Sequence, residues 1–214
     1  MPAPAIKICG INTPAALQAA LDARADYVGL VFFAKSPRNV TLEQAAALAR
    51  QARGVAKVVG LFVNPEAAFL DAVRAAVPLD VIQLHGAESP AQVAQWQTRH
   101  GVEMWKAIGV RQRADLDAAR TFAGAASRVL FDAKPPEGAD LPGGNGLRID
   151  WSLFTGFRPS LPWGLAGGLD PSNVAEAARA TGAPLVDVSS GVESAPGVKD
   201  AKLIAAFCKA ARGE

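Results

Sequence analysis

The sequence predicts an α/β fold, a (β/α)₈ TIM barrel, on three observations. Eight short runs rich in Val, Ile, Leu and Phe alternate with longer Ala-rich stretches of helical spacing. The runs are apolar on both faces, which is typical of a parallel sheet covered by helices. Each strand–helix unit takes roughly 22 to 34 residues, and eight such units in 214 residues is the count of a compact barrel.

The elements follow one another along the whole chain. The predicted strands are Ile6–Cys9, Tyr27–Phe33, Lys57–Val63, Leu79–Leu84, Glu103–Ile108, Arg128–Phe131, Pro162–Ala166 and Pro184–Val188. The predicted helices are Pro14–Arg24, Leu42–Arg53, Glu66–Val77, Pro90–His100, Arg113–Gly124, a short Asp150–Phe154, Pro171–Thr181 and Asp200–Arg212. "NTP", "NPE", "SP" and "DPSN" each place a capping side chain beside a proline and mark four helix starts.

A doubly wound open sheet is the alternative fold, but it usually has about five or six strands. The first strand is followed by "KICGINT", which lacks the G-x-G-x-x-G of dinucleotide-binding folds. No linker interrupts the pattern, so residues 1–214 are predicted to form a single catalytic domain. Lys134–Gly146 is too long and too rich in Gly and Pro for a simple connection, and predicts a mobile active-site loop.

Composition excludes several classes of partner. The formal charge is only +2 and the basic residues are scattered, which argues against a nucleic-acid ligand. No run approaches the roughly 18 apolar residues that span a bilayer, and the start lacks a signal-peptide pattern. We therefore expect a cytoplasmic protein with no membrane partner. There the two cysteines, Cys9 and Cys208, should stay reduced, and Cys208 is predicted only to pack within the last helix.

Polar residues at the carboxyl ends of barrel strands indicate the active site. Two small-residue turns, "LAGGLDPSNV" and "VDVSSGVES", follow the seventh and eighth strands, where this fold usually binds phosphate. Glycines let several backbone N–H groups approach an anion, so we predict a phosphate site there. The alternative is a pair of plain tight turns.

Cys9 and Asp132 end the first and sixth predicted strands, and they could face each other across the barrel mouth. A cysteine acts as a base only as a thiolate, and a carboxyl acts as an acid only while it keeps its proton. The position alone leaves open a buried cysteine and a turn-capping aspartate. Arg38, in "SPR", has the guanidinium that could bind a carboxylate with two hydrogen bonds, unless it is a solvated loop residue.

Other site classes find less support. His85 is more simply a structural residue at a strand end than a catalytic one, and His100 is interpreted as a helix end. No Cys or His pair has the spacing of metal ligands, so we predict no metal. A serine hydrolase would need a G-x-S-x-G turn, which "VDVSSGVES" does not supply.

Several short motifs, in this order and spacing, resemble phosphoribosylanthranilate isomerase, a family of tryptophan biosynthesis. The resemblance covers Lys7 to about Asp200. The motifs are "KICGI", "SPR", "VGLFVN", "IQLHG", "FDAK", "GGNG" with Trp151 after four further residues, "LAGGL", and "VDVSSGVES" followed by "GVKD".

The resemblance implies a (β/α)₈ barrel, no cofactor, and an Amadori rearrangement. The substrate is N-(5-phosphoribosyl)anthranilate and the product is 1-(2-carboxyphenylamino)-1-deoxyribulose 5-phosphate. Matched by motif, Cys9 is the general base and Asp132 the general acid, and Arg38 binds the anthranilate carboxylate. Asp187 matches a position near the substrate. The phosphate ligands are implied to be Gly167, Gly168, Ser190 and Gly191.

The sixth loop departs from the family pattern at Gly143–Gly146 and Ile149–Trp151, which leaves the effect of Asn145 on loop closure open. The rival barrels are a histidine-pathway isomerase, which carries an aspartate where Cys9 stands, and a pentose-phosphate epimerase, which needs metal ligands. A non-catalytic phosphate sensor is the rival from another class, although a binding module needs no acid–base pair. We expect a monomer, with a homodimer as the alternative.

Overall fold

Eight parallel strands close into a barrel, as the sequence predicts, and the neighbours run in chain order from β1 to β8 and back to β1. The computed structural model describes residues 2–134, 136, 143, 144 and 146–214. The barrel strands are β1 Ala5–Cys9, β2 Tyr27–Phe32, β3 Lys57–Phe62, β4 Val81–Leu84, β5 Glu103–Val110, β6 Arg128–Ala133, β7 Trp163–Leu165 and β8 Leu185–Val188. The doubly wound alternative is therefore wrong.

Helices cover the outside of the barrel between successive strands. The α-helices are α1 Pro14–Asp22, α2 Leu42–Ala52, α3 Ala67–Ala76, α4 Pro90–His100, α5 Val174–Thr181 and α6 Ala201–Arg212. Helix α5 begins at Val174, three residues after the predicted start. In the part of the chain that the structure describes, none of the helices is long and apolar enough to cross a membrane.

The fifth and sixth connections are 3₁₀ helices, Arg113–Phe122 and Trp151–Phe154, where the sequence predicted ordinary helices. A 3₁₀ helix rises about 2.0 Å per residue against about 1.5 Å for an α-helix, so ten residues reach further along the barrel wall. The short second segment covers β6 and β7 with aromatic rings. Phe154 stacks on Trp163 with ring centroids 5.3 Å apart, and both rings meet Phe131.

Two of the four predicted caps are present. Thr13 accepts a hydrogen bond from Ala16 N–H, and Ser89 forms a capping box with Gln92. The other two helix starts lack the predicted cap. Asn64 Oδ1 accepts from Ala87 N–H in the next loop instead. Asp170, beside Pro171, accepts from Ser172 N–H in the turn before α5, and Asn173, which precedes the helix, donates to Gly168 O and accepts from Asp170 N–H.

The segment after β8 holds a feature that the sequence did not predict. A short 3₁₀ turn, Ser190–Val192, leads into an antiparallel hairpin of β9, Glu193–Ala195, and β10, Val198–Lys199. Gly197, with φ of +81°, allows the reversal between its strands. The hairpin lies on the carboxyl side of the barrel strands and brings Glu193 and Lys199 towards the mouth.

Side chains on each barrel strand point alternately outward to the helices and inward to the axis. The outward set forms the large core between sheet and helices. The inward set packs in layers. One is Val59, Val81, Trp105, Ala107, Leu130 and Leu185, and one nearer the carboxyl ends is Cys9, Val31 and Leu61. By the same alternation the buried Lys7, Gln83, Asp132 and Asp187 point inward. The interior is therefore apolar at one end and polar beneath the mouth.

Candidate active site

A single cavity at the carboxyl ends of the strands gathers most of the predicted site residues. The space inside it is about 770 Å³ when the solvent at its open mouth is included. The residues that line it include Cys9, Arg38, His85, Asp132, Asp187 and Ser190. Because these side chains come from five different strand ends, the closed barrel is what brings them together.

Cys9 ends β1 and is 4% exposed. It pairs in register with Gly29 of β2, and a β-carbon added to Gly29 would lie 2.9 Å from Cys9 Sγ. The missing side chain therefore leaves room for the sulfur. Burial raises the pKa of the Cys9 thiol, Asp187 adds to the rise, and the ammonium groups of Lys7 and Lys199 oppose it. In the unliganded site the neutral thiol is thus the stable form.

Asp132 lies in the cavity wall beside His85. Ala133 N–H donates to Asp132 Oδ1 at 2.8 Å, and His85 Nε2 lies 3.2 Å from Asp132 Oδ2. The amide nitrogen of Gln83 lies 3.4 Å from the other ring nitrogen, Nδ1. The neutral tautomer with its proton on Nε2 satisfies both contacts. His85 is therefore a direct partner of the candidate acid.

Arg38 is held by a carboxylate that the sequence analysis did not assign. Its Nε and Nη2 donate to the two oxygens of Glu193 at 2.7 and 2.8 Å, and Lys199 Nζ donates to Oε1 of the same carboxylate at 2.6 Å. Burial opposes ionisation, but the two cations hold the pKa of Glu193 below its usual value. The third guanidinium nitrogen, Nη1, faces Gly144, which also lines the cavity.

Lys7 and Asp187 form a buried pair beneath the cavity. They are register partners on β1 and β8, and Lys7 Nζ donates to both Asp187 oxygens at 2.9 Å. Burial disfavours the ammonium, but the attraction of Asp187 and Cys9 outweighs it and raises the pKa of Lys7. Lys7 is therefore charged beneath Cys9.

The loops after β7 and β8 meet at one side of the cavity. Gly167 and Gly168 have φ of +83° and +63°, and a β-carbon on Gly191 would lie 1.9 Å from Leu169 O. Among the described residues, three of the four candidate phosphate ligands line the cavity: Gly167, Gly168 and Ser190. Gly191 packs against the loop after β7 and so holds the two turns together.

The loop predicted over 134–146 falls largely on residues 135, 137–142 and 145, which lie outside the described residues. The question about Asn145 lies there too. Gly143 and Gly144 are described and line the cavity. A β-carbon on Gly143 would lie 2.5 Å from Asp132 Oδ2, so this glycine packs directly over the Asp132–His85 contact.

Four residues at the site were given no role from the sequence: Gln83, Glu193, Lys199 and Lys7. Lys7 carried a usable signal, because two-residue alternation places it on the same face of β1 as Cys9. Glu193 and Lys199 lie in "VDVSSGVES" and "GVKD", motifs that the resemblance already included. Within the described residues, no group of three or more His, Cys, Asp or Glu side chains is arranged to hold a metal ion.

Comparison with known proteins gives the family. The model of the family described as N-(5'phosphoribosyl)anthranilate (PRA) isomerase matches residues 6–210. A relative from Paracoccus denitrificans, N-(5'-phosphoribosyl)anthranilate isomerase, is 61% identical over 203 residues, covering 94% of each chain. The chain belongs to the phosphoribosylanthranilate isomerase family.

Solved structures of phosphoribosylanthranilate isomerases share the fold closely. The enzyme from Thermotoga maritima superposes with a TM-score of 0.88 at 34% identity, over 99% of this chain and 100% of its own. A second structure, of a phosphoribosyl anthranilate isomerase in complex with reduced 1-(o-carboxyphenylamino)-1-deoxyribulose 5-phosphate, superposes at 0.84, with 32% identity and the same coverage. The resemblance seen in the sequence is confirmed, and the rival barrel families and the sensor are wrong.

Proposed function

We propose that this chain converts N-(5-phosphoribosyl)anthranilate into 1-(2-carboxyphenylamino)-1-deoxyribulose 5-phosphate, with residues 1–214 acting as one catalytic domain. The observation that carries the proposal is one cavity lined by a thiol, a carboxyl, a clamped guanidinium and glycine-rich turns. The proposed substrate has an anion at each end and needs an acid and a base between them. The cavity therefore matches the substrate in the charges and the acid–base groups that it supplies.

Binding uses the two ends of the cavity. Arg38, through Nη1, binds the anthranilate carboxylate. Backbone N–H groups around Gly167, Gly168, Ser190 and Gly191 hold the phosphate, since turns with positive φ can aim several donors at one anion. Asp187 borders the cavity, and each oxygen can accept a second hydrogen bond besides the one from Lys7. We assign Asp187 to a hydroxyl of the sugar on that ground.

The reaction proceeds by two proton transfers. Asp132 gives its proton to the ribose ring oxygen as the C1–O bond breaks, and the nitrogen lone pair forms the Schiff base. His85 Nε2–H then donates to the carboxylate that remains. The Cys9 thiolate removes the proton from C2, and the resulting enol-amine tautomerises to the ketone. A positioned proton transfer contributes about 10²–10⁴-fold in rate, so two such groups acting in separate steps lower the barrier of each step by that order.

The test of the function is a fluorescence assay. The substrate is generated in place from anthranilate and phosphoribosyl pyrophosphate with a coupling transferase, and loss of its emission is followed with and without chelator. Wild-type protein is expected to accelerate the decay in both conditions. A folded protein that leaves the decay at its spontaneous rate would contradict the proposed reaction.

The clamp on Arg38, which is the pair of hydrogen bonds from its Nε and Nη2 to the Glu193 carboxylate, predicts that loss of this carboxylate weakens substrate binding. Glu193→Gln removes the charge that Arg38 and Lys199 share, and Arg38 then loses its fixed geometry. A hydrogen bond to a charged group is worth about 1.5–3 kcal/mol, so KM is expected to rise about tenfold or more while kcat changes little.

Steady-state kinetics and the Kd of the reduced product analogue check this prediction. Glu43→Gln is the matched control, because Glu43 is an exposed carboxylate in the first turn of α2 and should leave KM unchanged. A loss confined to kcat in Glu193→Gln would contradict a binding role for the clamp.

The monomeric state and the cytoplasmic location also stay predictions.

A further inference from the structure

Lys7 is a buried cation that the proposed reaction does not use directly. It is 0% exposed and lies two residues before Cys9 on the same inward face of β1. A β-carbon added to Gly29 would lie 2.9 Å from Cys9 Sγ and 3.3 Å from Lys7 Cε, so the two side chains flank the same point of β2. Cys9 lines the cavity above, and Lys7 is shielded beneath it. Any effect of Lys7 on the reaction must therefore pass through another group.

Asp187 fixes the position of this ammonium. The two residues are register partners on β1 and β8, and both carboxylate oxygens accept from Lys7 Nζ at 2.9 Å. The pair thus places a cation at a defined height in the barrel interior. A free lysine side chain would lose considerable rotamer entropy to occupy one such position, and the paired carboxylate offsets that cost.

The charges around Cys9 can be followed strand by strand. Lys7 of β1 and Lys199 of β10 are the cations that act on the sulfur, and Asp187 of β8 is the anion. Asp132 of β6 acts on Asp187 rather than directly on the thiol. Both cations are held by carboxylates, Lys7 by Asp187 and Lys199 by Glu193. Lys7 flanks the same point of β2 as the sulfur, and its attraction is the largest effect that opposes the rise in the pKa of Cys9 caused by burial.

We propose that Lys7 is a positioning residue for catalysis, whose buried ammonium, fixed by Asp187, is the counter-ion that lets Cys9 exist as a thiolate. The thiol proton leaves through the open cavity to solvent, and the negative charge on sulfur remains beside Lys7. This inference rests on the proposed function for its purpose, because the isomerisation needs a thiolate base. The electrostatic interaction between the Lys7 ammonium and the Cys9 sulfur exists without substrate and can be tested without turnover.

Alkylation of Cys9 by iodoacetamide measures the thiolate directly, since the sulfur anion forms the S–C bond and iodide leaves. The protein carries Cys208→Ala throughout, so that Cys9 is the reactive thiol, and rates are taken across the pH range in which it stays folded. Lys7→Met keeps length and removes the charge. Cys9 alkylation at a fixed pH is expected to slow about tenfold or more, because a close opposite charge shifts a pKa by about one to three units.

Asp187→Asn is expected to change the rate of Cys9 alkylation in the opposite direction. It removes the anion that opposes the thiolate, so Cys9 alkylation is expected to speed up, and its pH profile to move to lower pH. A purely structural role would loosen the site in both variants and change both rates in the same direction. The same sign in both single variants, or an unchanged profile in Lys7→Met, would overturn the proposal.

A double variant keeps the test valid if Lys7→Met does not fold. Lys7→Met combined with Asp187→Asn removes one charge of each sign, and it should alkylate about tenfold or more slowly than Asp187→Asn alone. Equal rates would overturn the proposal. Lys106→Met is the control for loss of a buried lysine, because Lys106 lies on the outward face of β5 beside Glu88 and should leave the Cys9 profile unchanged. If the isomerase assay fails but the alkylation rates of the Lys7 and Asp187 variants change as expected, only the proposed function is contradicted.

Discussion

Replacing Cys9 with alanine is expected to lower kcat by about 10²–10⁴-fold, because the variant lacks the base that removes the proton from C2. Alanine is small enough to fit beside Gly29 without a clash, and the pocket for the anionic ends is untouched. Affinity for reduced 1-(o-carboxyphenylamino)-1-deoxyribulose 5-phosphate should therefore stay close to that of the wild type. Turnover and binding are expected to separate in this single variant.

The matched control for Cys9→Ala is Cys208→Ala. Cys208 is also a buried free thiol, but it packs in α6 within the outer core, and burial raises its pKa to about 11. Its loss should lower the free energy of unfolding and leave kcat unchanged. The fluorescence assay gives kcat, and fluorescence titration with the reduced product analogue gives Kd. Turnover that survives Cys9→Ala would keep the function and remove Cys9 as the base.

Asp132→Asn is the second change with a large expected effect. Asparagine matches the carboxyl in shape and can still accept from Ala133 N–H, but it has no acidic proton to give to the ribose ring oxygen. We expect kcat to fall by about 10²–10⁴-fold, with ring opening becoming the slow step. The reduced product analogue, whose ring is already open, should bind with little change.

Asp80→Asn is the matched control for Asp132→Asn. Asp80 also accepts a backbone N–H, from Val58 at 2.7 Å, but at the amino ends of the strands and so at the far side of the barrel. That variant is expected to lose stability and keep kcat. Substantial turnover in Asp132→Asn would move the acid role to His85, whose Nε2 is 3.2 Å away, and His85→Asn would then show the large loss in kcat.

The barrel fold could be predicted from the sequence because the patterns that mark its strands and helices are local. Most barrel strands are short apolar runs buried on both faces, and a polar residue or a glycine lies at or within a few residues after each strand end, so strand order and the position of the mouth follow from pattern alone. Cys9, Arg38, Asp132 and Asp187 all line the cavity in the structure. Their roles needed the family motifs as well.

The partners of these residues lie beyond local pattern. Arg38 and Glu193 are 155 residues apart. No periodic pattern in the sequence predicts that the Glu193 carboxylate, which follows β8, binds the Arg38 guanidinium, which follows β2. The hairpin that carries Glu193 has strands of three and two residues, too short for alternation to show. Nor does sequence reveal that Asn64 binds the next loop, or that Asn173 forms its hydrogen bonds within its own loop, instead of capping a helix, since both choices satisfy the same donors and acceptors.

The closing seam between β1 and β8 has a consequence for biosynthesis on the ribosome. Cys9 is synthesised long before Asp187, Glu193 and Lys199, which follow it in the chain by 178 residues or more. The proposed charges around the thiol therefore assemble only after Lys199 has been added, and a product that stops before β8 has no means of building them. Release before that point would yield an inactive polypeptide, so catalytic competence itself reports that synthesis has passed Lys199.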